Sequence, residues 1–438
     1  MKKVTVILFI FLSVFFSVSV FAVDFGSILY NSTGMKYARS DNNVDFRQND
    51  MAGLWVSANV MEMIDIYLRG SYTFSYSSLN PPDKPHFFDL DTLTIKNTGN
   101  VPLIVTAGRF SDSDFSHYIF SNRIDGISAE LNIPLLSAKA TLGYNGLLFK
   151  ERSTVIMTRA DISDLDNNSK LFASPRVIGG IDILFPELFL RQDLDVSFWT
   201  QFDLRQFIDP AAGRSSLYSQ YYGLGLKGAI IDSLYYKTAF YFESGLTYSA
   251  VNDNYSYILS YMGTAGISYY MDWLLFSRAG ITFFYSSGDP DYTSTYYEGN
   301  AGGYSLMFIP ISSTPFGKVF SPELGNIFLV KVDYSLKPFS FISSRAFGGI
   351  KDLQVDIEAF SFFRSTTGTI SVTGLNSQSS SLYLGTEIDG NISIPMFSDL
   401  KAIISGGLFI PDNRSGGAFG GGSVDIEGKA SIDIFFQL

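Results

Sequence analysis

Residues 421–438 constrain this chain more than any other stretch. Reading every second residue back from the end, one face is Leu438, Phe436, Ile434, Ile432, Ala430, Gly428, Ile426 and Val424. The other is Gln437, Phe435, Asp433, Ser431, Lys429, Glu427 and Asp425. Such a period of two, charged on one side and apolar or small on the other, belongs to a strand lying between two different solvents. The run exceeds an ordinary soluble strand and closes on an apolar side chain. It reads as the closing strand of a membrane β-barrel, with lipid on one face and a polar lumen on the other.

The other end of the chain fits export. Lys2 and Lys3 precede the apolar stretch Val4–Phe16, and Val20-Phe21-Ala22 offers a cleavage site. The expectation is a signal peptide over 1–22 and a barrel over 23–438. No later apolar run reaches the ~18 residues of a spanning helix, yet 16% of the chain is aromatic. The absence of cysteine excludes disulfides and thiolate chemistry. A net charge of -11 argues against nucleic acid as a partner.

Alternating segments recur throughout, separated by short and long connectors in turn. Short ones include Pro134-Leu135, Asp232-Ser233 and Met396–Asp399; long ones include Ser111–Arg123, Lys150–Ser174, Ser286–Gly325 and Ser365–Ser381. Bacterial barrels alternate in this way because periplasmic turns are tight and extracellular loops long. Counting back from the last strand places descending strands near 50–60, 87–96, 124–133, 175–185, 218–230, 258–270, 326–338, 382–394 and 424–438. Ascending strands fall near 28–39, 64–77, 101–110, 136–149, 192–206, 234–249, 274–287, 351–364 and 400–411. The expected fold is all-β: a transmembrane antiparallel up-and-down β-barrel of about 18 strands (16–18). Segment 87–96 alternates poorly.

Within 191–205, Leu194, Val196, Phe198, Thr200, Phe202 and Leu204 should face lipid, while Asp193, Asp195, Ser197, Trp199, Gln201, Asp203 and Arg205 face inward. The same parity gives the pore-lining candidates. They are Arg69, Lys139, Asp182, Asp195, Asp203, Arg205, Lys227, Lys237, Arg278, Lys331, Asp333, Asp356, Glu358, Arg364, Glu387, Asp389, Glu427 and Lys429. Charges of both signs in a lumen set ion preference or pair across strands to keep the wall polar. The 286–325 loop carries an apolar stretch within Gly302–Pro310, which should be buried, either folded inward as a constriction, the favoured expectation, or as a cap packed on other loops.

Only two histidines exist, His86 and His117, both in expected loops without a nucleophile or orienting carboxylate beside them. No catalytic residue, cofactor or metal is therefore expected.

Three stretches resemble the alginate-export outer-membrane porins. Ala107-Gly108-Arg109-Phe110 with Ser121-Asn122-Arg123-Ile124-Asp125-Gly126-Ile127 is similar to that family's Gly-Arg strand end and Asp-Gly strand start. Leu324-Gly325-Asn326-Ile327 through Lys337-Pro338 resembles its Asn-apolar strand. Leu384-Gly385-Thr386-Glu387-Ile388-Asp389 with Gly406-Gly407-Leu408-Phe409-Ile410-Pro411 resembles another of its strand pairs. The resemblance implies an 18-stranded monomeric channel for an anionic or polar solute, although the acidic balance departs from that family's basic conduit.

The leading expectation is a passive outer-membrane channel for small polar or charged solutes in a two-membraned bacterium. Its partners would be outer-membrane lipid, those solutes, and the barrel-assembly machinery acting through the C-terminal strand. The alternatives are a plugged barrel acting as a surface adhesin and a transporter of hydrophobic compounds of the fatty-acid type.

Overall fold

The computed structural model describes residues 21–38, 43–60, 63–97, 99, 102–147, 150, 155–167, 169–205, 216–249, 253–291, 302–312, 315–342, 349–420 and 424–438. Residues 1–20 of the expected signal peptide lie outside them. Eighteen strands form one antiparallel sheet. They are β1 (Phe21–Ala38), β2 (Asn43–Val60), β3 (Ile64–Ser77), β4 (His86–Asn97), β5 (Leu103–Ser113) and β6 (Ser121–Ile133). Next come β7 (Leu136–Tyr144), β8 (Arg176–Phe189), β9 (Gln192–Asp203), β10 (Leu217–Ile231), β11 (Leu234–Ser249) and β12 (Asn254–Met271). The last are β13 (Ser277–Ser286), β14 (Ile327–Leu336), β15 (Gln354–Arg364), β16 (Tyr383–Pro395), β17 (Leu400–Pro411) and β18 (Glu427–Gln437).

Each strand pairs with its sequence neighbours, and β1 pairs with both β2 and β18, so the sheet closes with no free edge. Closure lets neighbouring strands satisfy one another's backbone groups all round the wall, as an apolar surround requires. The seam runs from Ile28 opposite Gln437 to Ala38 opposite Glu427. The barrel expectation, its strand number and most boundaries stand. The closing strand is shorter than its sequence alternation, starting at Glu427 rather than 424.

Side-chain parity follows the sequence. Asp195, Ser197, Trp199, Gln201 and Asp203 are buried on the inner face, while Phe202, Tyr222, Leu224 and Leu226 are exposed on the outer one. The poor alternation of 87–96 has a local cause. Arg69 pairs with Thr92 but Gly70 pairs with Leu90, so Asp91 is an extra residue in β4. Such a bulge shifts the inside–outside alternation by one. Further along, β4 meets β5 only through Leu93–Lys96 opposite Thr106–Arg109.

Among the described residues, one helix, α1 (Arg159–Asp166), lies in the β7–β8 connector, where only irregular loop was expected. Eight residues are too few to show a 3.6-residue apolar period in the sequence.

Candidate functional site

The site is the barrel interior, which long connectors have partly filled. Five of them carry apolar side chains inward against the wall, with Ile370 from the β15–β16 connector and Ala418 and Phe419 from the β17–β18 connector among these. Ile119 and Phe120 come from the β5–β6 side, Val155 and Met157 from the β7–β8 connector, and Met307, Phe308, Ile309 and Ile311 from the β13–β14 connector. They pack with Trp199, Tyr221, Tyr241, Met262 and Phe284 of the wall in one buried cluster. Phe120 stacks on Trp199 at 4.9 Å, and Phe320 stacks on Phe409 at 4.3 Å. Each such side chain removed from water contributes about 1.5–3 kcal/mol, which holds the connectors in place.

Polar anchors fix where each connector turns. In the β5–β6 connector, Asp114 Oδ1 accepts the backbone N–H groups of Ile119 and Phe120 at 3.0 and 2.8 Å. Its Oδ2 accepts the Ser116 N–H and the Tyr241 hydroxyl, both at 2.8 Å. A short carboxylate side chain thereby satisfies donors that a buried turn would otherwise strand. His117 sits at φ 65 in this turn.

In the β7–β8 connector, Thr158 caps α1 and Asp161 returns the bond, its Oδ2 accepting the Thr158 N–H at 2.9 Å. The same carboxylate meets Arg176 at 2.8 Å and Arg205 at 2.5 Å. Asp203 and Asp164 complete a buried cluster, Asp203 lying 3.1 Å from Arg176 and Asp164 2.9 Å from Arg205. Burial alone would push the Asp161 carboxyl up, but the two guanidinium groups outweigh it and hold it at about 2.

The β13–β14 connector is the most extensively tied. β12 runs beyond the end of β13, and Ser305 takes the vacated position: its N–H donates to the Tyr257 carbonyl at 2.8 Å, and its carbonyl accepts the Leu259 N–H at 3.0 Å. The Ile309 N–H donates to Glu243 at 3.2 Å, and the Tyr221 hydroxyl donates to the Ile309 carbonyl at 2.5 Å. Farther on, Glu387 accepts the N–H groups of Lys318, Val319 and Phe320 at 2.7, 2.8 and 2.7 Å.

These contacts divide the pore-lining candidates into two groups. Asp203, Arg205, Arg364, Glu387 and Asp389 are buried beneath connectors. Arg364, for example, donates to the carbonyls of Thr367, Ser379 and Ser381 at 2.7, 2.6 and 2.9 Å, clamping the β15–β16 connector. Asp389 accepts the Lys318 N–H at 3.1 Å.

Most of the remaining candidates form paired rungs along the wall. Arg69 meets Asp91 at 3.3 Å, Lys139 meets Asp112 at 2.6 Å and Asp182 at 3.7 Å, and Lys227 meets Asp195 at 3.1 Å. Arg278 pairs with Asp333, Lys331 with Glu358 at 2.6 Å, and Lys36 with Glu427 at 2.8 Å. Asp356 accepts from Gln354 at 2.7 Å. Lys237 and Lys429 are exposed and form no ion pair with another described residue. Between the rungs and the β5–β6 connector lies a cavity of about 560 Å³, lined by Met51, Arg69, Asp89, Asp91, His117 and Arg123 among others. His86 opens β4 rather than lying in a loop, and its Nδ1 sits 2.6 Å from the Tyr72 hydroxyl.

Asp114 and Asp161 were absent from the sequence candidates because both stand in connectors. The signals were local: Asp114-Phe115-Ser116 reads as an Asx turn, and Thr158-Arg159-Ala160-Asp161 has the spacing of a capping box.

No protein-family model matches this chain, and no curated protein matches it in sequence. Solved structures do match in shape. Acinetobacter baumannii OccAB1 superimposes with a TM-score of 0.60 at 9% identity, over 95% of this chain and 96% of that one. Pseudomonas aeruginosa OccK2 (OpdF), solved in complex with glucuronate, gives 0.58 at 9% identity, over 95% and 98%. Pseudomonas aeruginosa OccK5 (OpdH) gives 0.56 at 11% identity, over 95% and 98%. At such low identity the likeness shows the fold alone: this chain is a closed 18-stranded β-barrel of the kind those outer-membrane proteins adopt.

Proposed function

We propose that this protein is an outer-membrane channel through which small polar or charged solutes diffuse. One observation carries the reading: a closed barrel whose inner wall is a series of cross-strand ion pairs, bordering a polar cavity where connectors narrow the lumen. Pairing keeps the wall hydrated and of mixed sign, so it favours small solutes over a long polyanion. That balance separates it from the conduit implied by the alginate-export resemblance, with which it shares barrel size. The barrel would sit in the outer membrane of a two-membraned bacterium as a monomer, after export with a cleaved signal peptide and assembly through β18.

The inserted 286–325 connector is the constriction in this reading. An adhesin would present apolar loop residues outward, whereas Met307, Phe308 and Ile309 are buried inside the barrel. Planar-bilayer recording of the refolded protein tests the proposal. Discrete, ohmic conductance steps are expected; a barrel that folds, as shown by heat-dependent gel mobility, yet leaves the bilayer silent contradicts it.

A further inference from the structure

The connectors at the end of the barrel where β1 begins and β18 ends are unusually apolar. Phe189, Leu190, Trp273, Phe276, Phe341 and Phe397 lie in or beside the connectors β8–β9, β12–β13, β14–β15 and β16–β17, and each exposes 60% or more of its surface. Tight turns normally carry Asn, Gly and Asp, which accept the left-handed backbone that hairpins demand. Here Leu190 and Arg191 form a two-residue turn with φ 47 and 63, and Leu275 and Phe276 adopt φ 54 and 50. Bulky residues in that region strain the backbone, and a water-facing turn gains nothing from them.

These side chains continue the outer wall. On β10 the lipid-facing stripe Tyr222, Leu224 and Leu226 runs on into the exposed Ile230 and Ile231 at the turn. On β12, Ile267 and Tyr269 lead to Trp273. The β4–β5 turn differs, contributing Asn97, Gly99 and Pro102, whereas the β6–β7 turn again exposes Leu135.

We infer that the short-turn rim from β8 to β17 is itself a membrane-binding surface, sunk into the headgroup–acyl boundary of the adjoining phospholipid leaflet. Aromatic side chains prefer that depth, and burial of the strained turns' apolar residues in lipid offsets their backbone cost. The β4–β5 turn, which carries no such residue, stays in water. The inference rests on the barrel spanning a membrane, and the experiment separates the two claims.

The chain has no cysteine, so single-site nitroxide labels can be placed unambiguously through Leu224→Cys on the mid-wall, Phe397→Cys on the apolar rim and Gly99→Cys on the polar turn. In phosphatidylethanolamine–phosphatidylglycerol vesicles, labels at 224 and 397 should relax several-fold more with oxygen than with a water-soluble nickel chelate, and the label at 99 the reverse. A lipid-exposed 224 with a water-exposed 397 overturns the rim inference alone, whether the rim faces water or a protein partner. A water-exposed 224 overturns the spanning reading and the rim together. Should labelling disturb the turns, the difference in emission between the native chain and Trp273→Phe isolates Trp273. Bromine-labelled lipids should quench that component strongly and aqueous iodide weakly, and the opposite pattern contradicts the inference.

Discussion

Arg109 on β5 grips both carboxylate oxygens of Asp125 on β6, Nε to Oδ1 at 2.5 Å and Nη2 to Oδ2 at 2.8 Å, while its Nη1 reaches the Leu90 carbonyl at 3.1 Å. The guanidinium thus bridges three strands where β4 and β5 have ceased to pair beyond Leu93 and Arg109. The arginine supplies the cross-wall tie there that backbone bonds supply elsewhere. Removing one partner of a buried, bidentate pair costs about 3–5 kcal/mol. Arg109→Gln should lower the unfolding free energy by that amount in urea titrations of the detergent-folded barrel, and adding Asp125→Asn should recover part of it. An unchanged midpoint would show that the seam is held by other means.

The neighbouring Gly108 has φ 126, and a Cβ there would lie 2.0 Å from the Leu93 carbonyl oxygen. Close strand approach at the seam thus requires glycine. Gly108→Ala should cost about 1–3 kcal/mol from backbone strain alone. Amide exchange should speed first in β4, and uniform loosening of the barrel would count against a local effect.

Asp161 joins α1 to the wall through Arg176 and Arg205. Asp161→Asn removes the charge facing two buried guanidinium groups and weakens the capping bond. A loss of about 3 kcal/mol is expected from the broken pairs, along with trypsin cleavage after Arg159, which the native fold protects. Continued resistance at Arg159 would mean that apolar packing alone seats the helix.

Acidity should tighten the β13–β14 connector. Asp289 is buried there, its Oδ2 accepting the Leu306 N–H at 2.9 Å. Burial and the neighbouring Asp291 push its carboxyl up to about 6, above the ordinary value of about 3.9. A raised pKa in the folded state means that the proton favours the seated connector. That contribution is complete below about pH 4 and is lost as pH rises through about 6. Conductance should therefore be smaller at pH 5 than at pH 7, and Asp289→Asn should remove most of the difference. A pH dependence identical in the variant would assign it to other groups.

The wall was largely legible because a period of two is a local property. Asp195, Ser197 and Trp199 are inward by position alone, and their burial follows. It failed to be clean at β4 because the extra Asp91 inverts the parity partway along the strand. The interior was less legible. Parity says that Glu387 and Arg364 point inward, but not that connectors lie across them, because their partners are backbone groups of irregular segments, those of Glu387 some 67 residues away. Arg205 and Asp161 stand 44 residues apart, and no spacing rule joins a strand end to a short loop helix. The apolar run 306–310 was the connector signal that foretold burial, and it holds for Met307 to Pro310, while Leu306 at its start is exposed.

A conducting lumen narrowed by that connector must carry more current once the connector is gone, so single-channel conductance with and without it decides the matter. Replacing residues 302–312 by a Gly-Ser linker leaves the pairing among the eighteen strands intact while removing Met307, Phe308, Ile309 and Ile311 from the lumen, together with the bonds of Ser305 to β12. The account predicts discrete openings for the native chain and a several-fold larger conductance for the variant in the same bilayers. Equal conductance, or two folded proteins that never open, would contradict it.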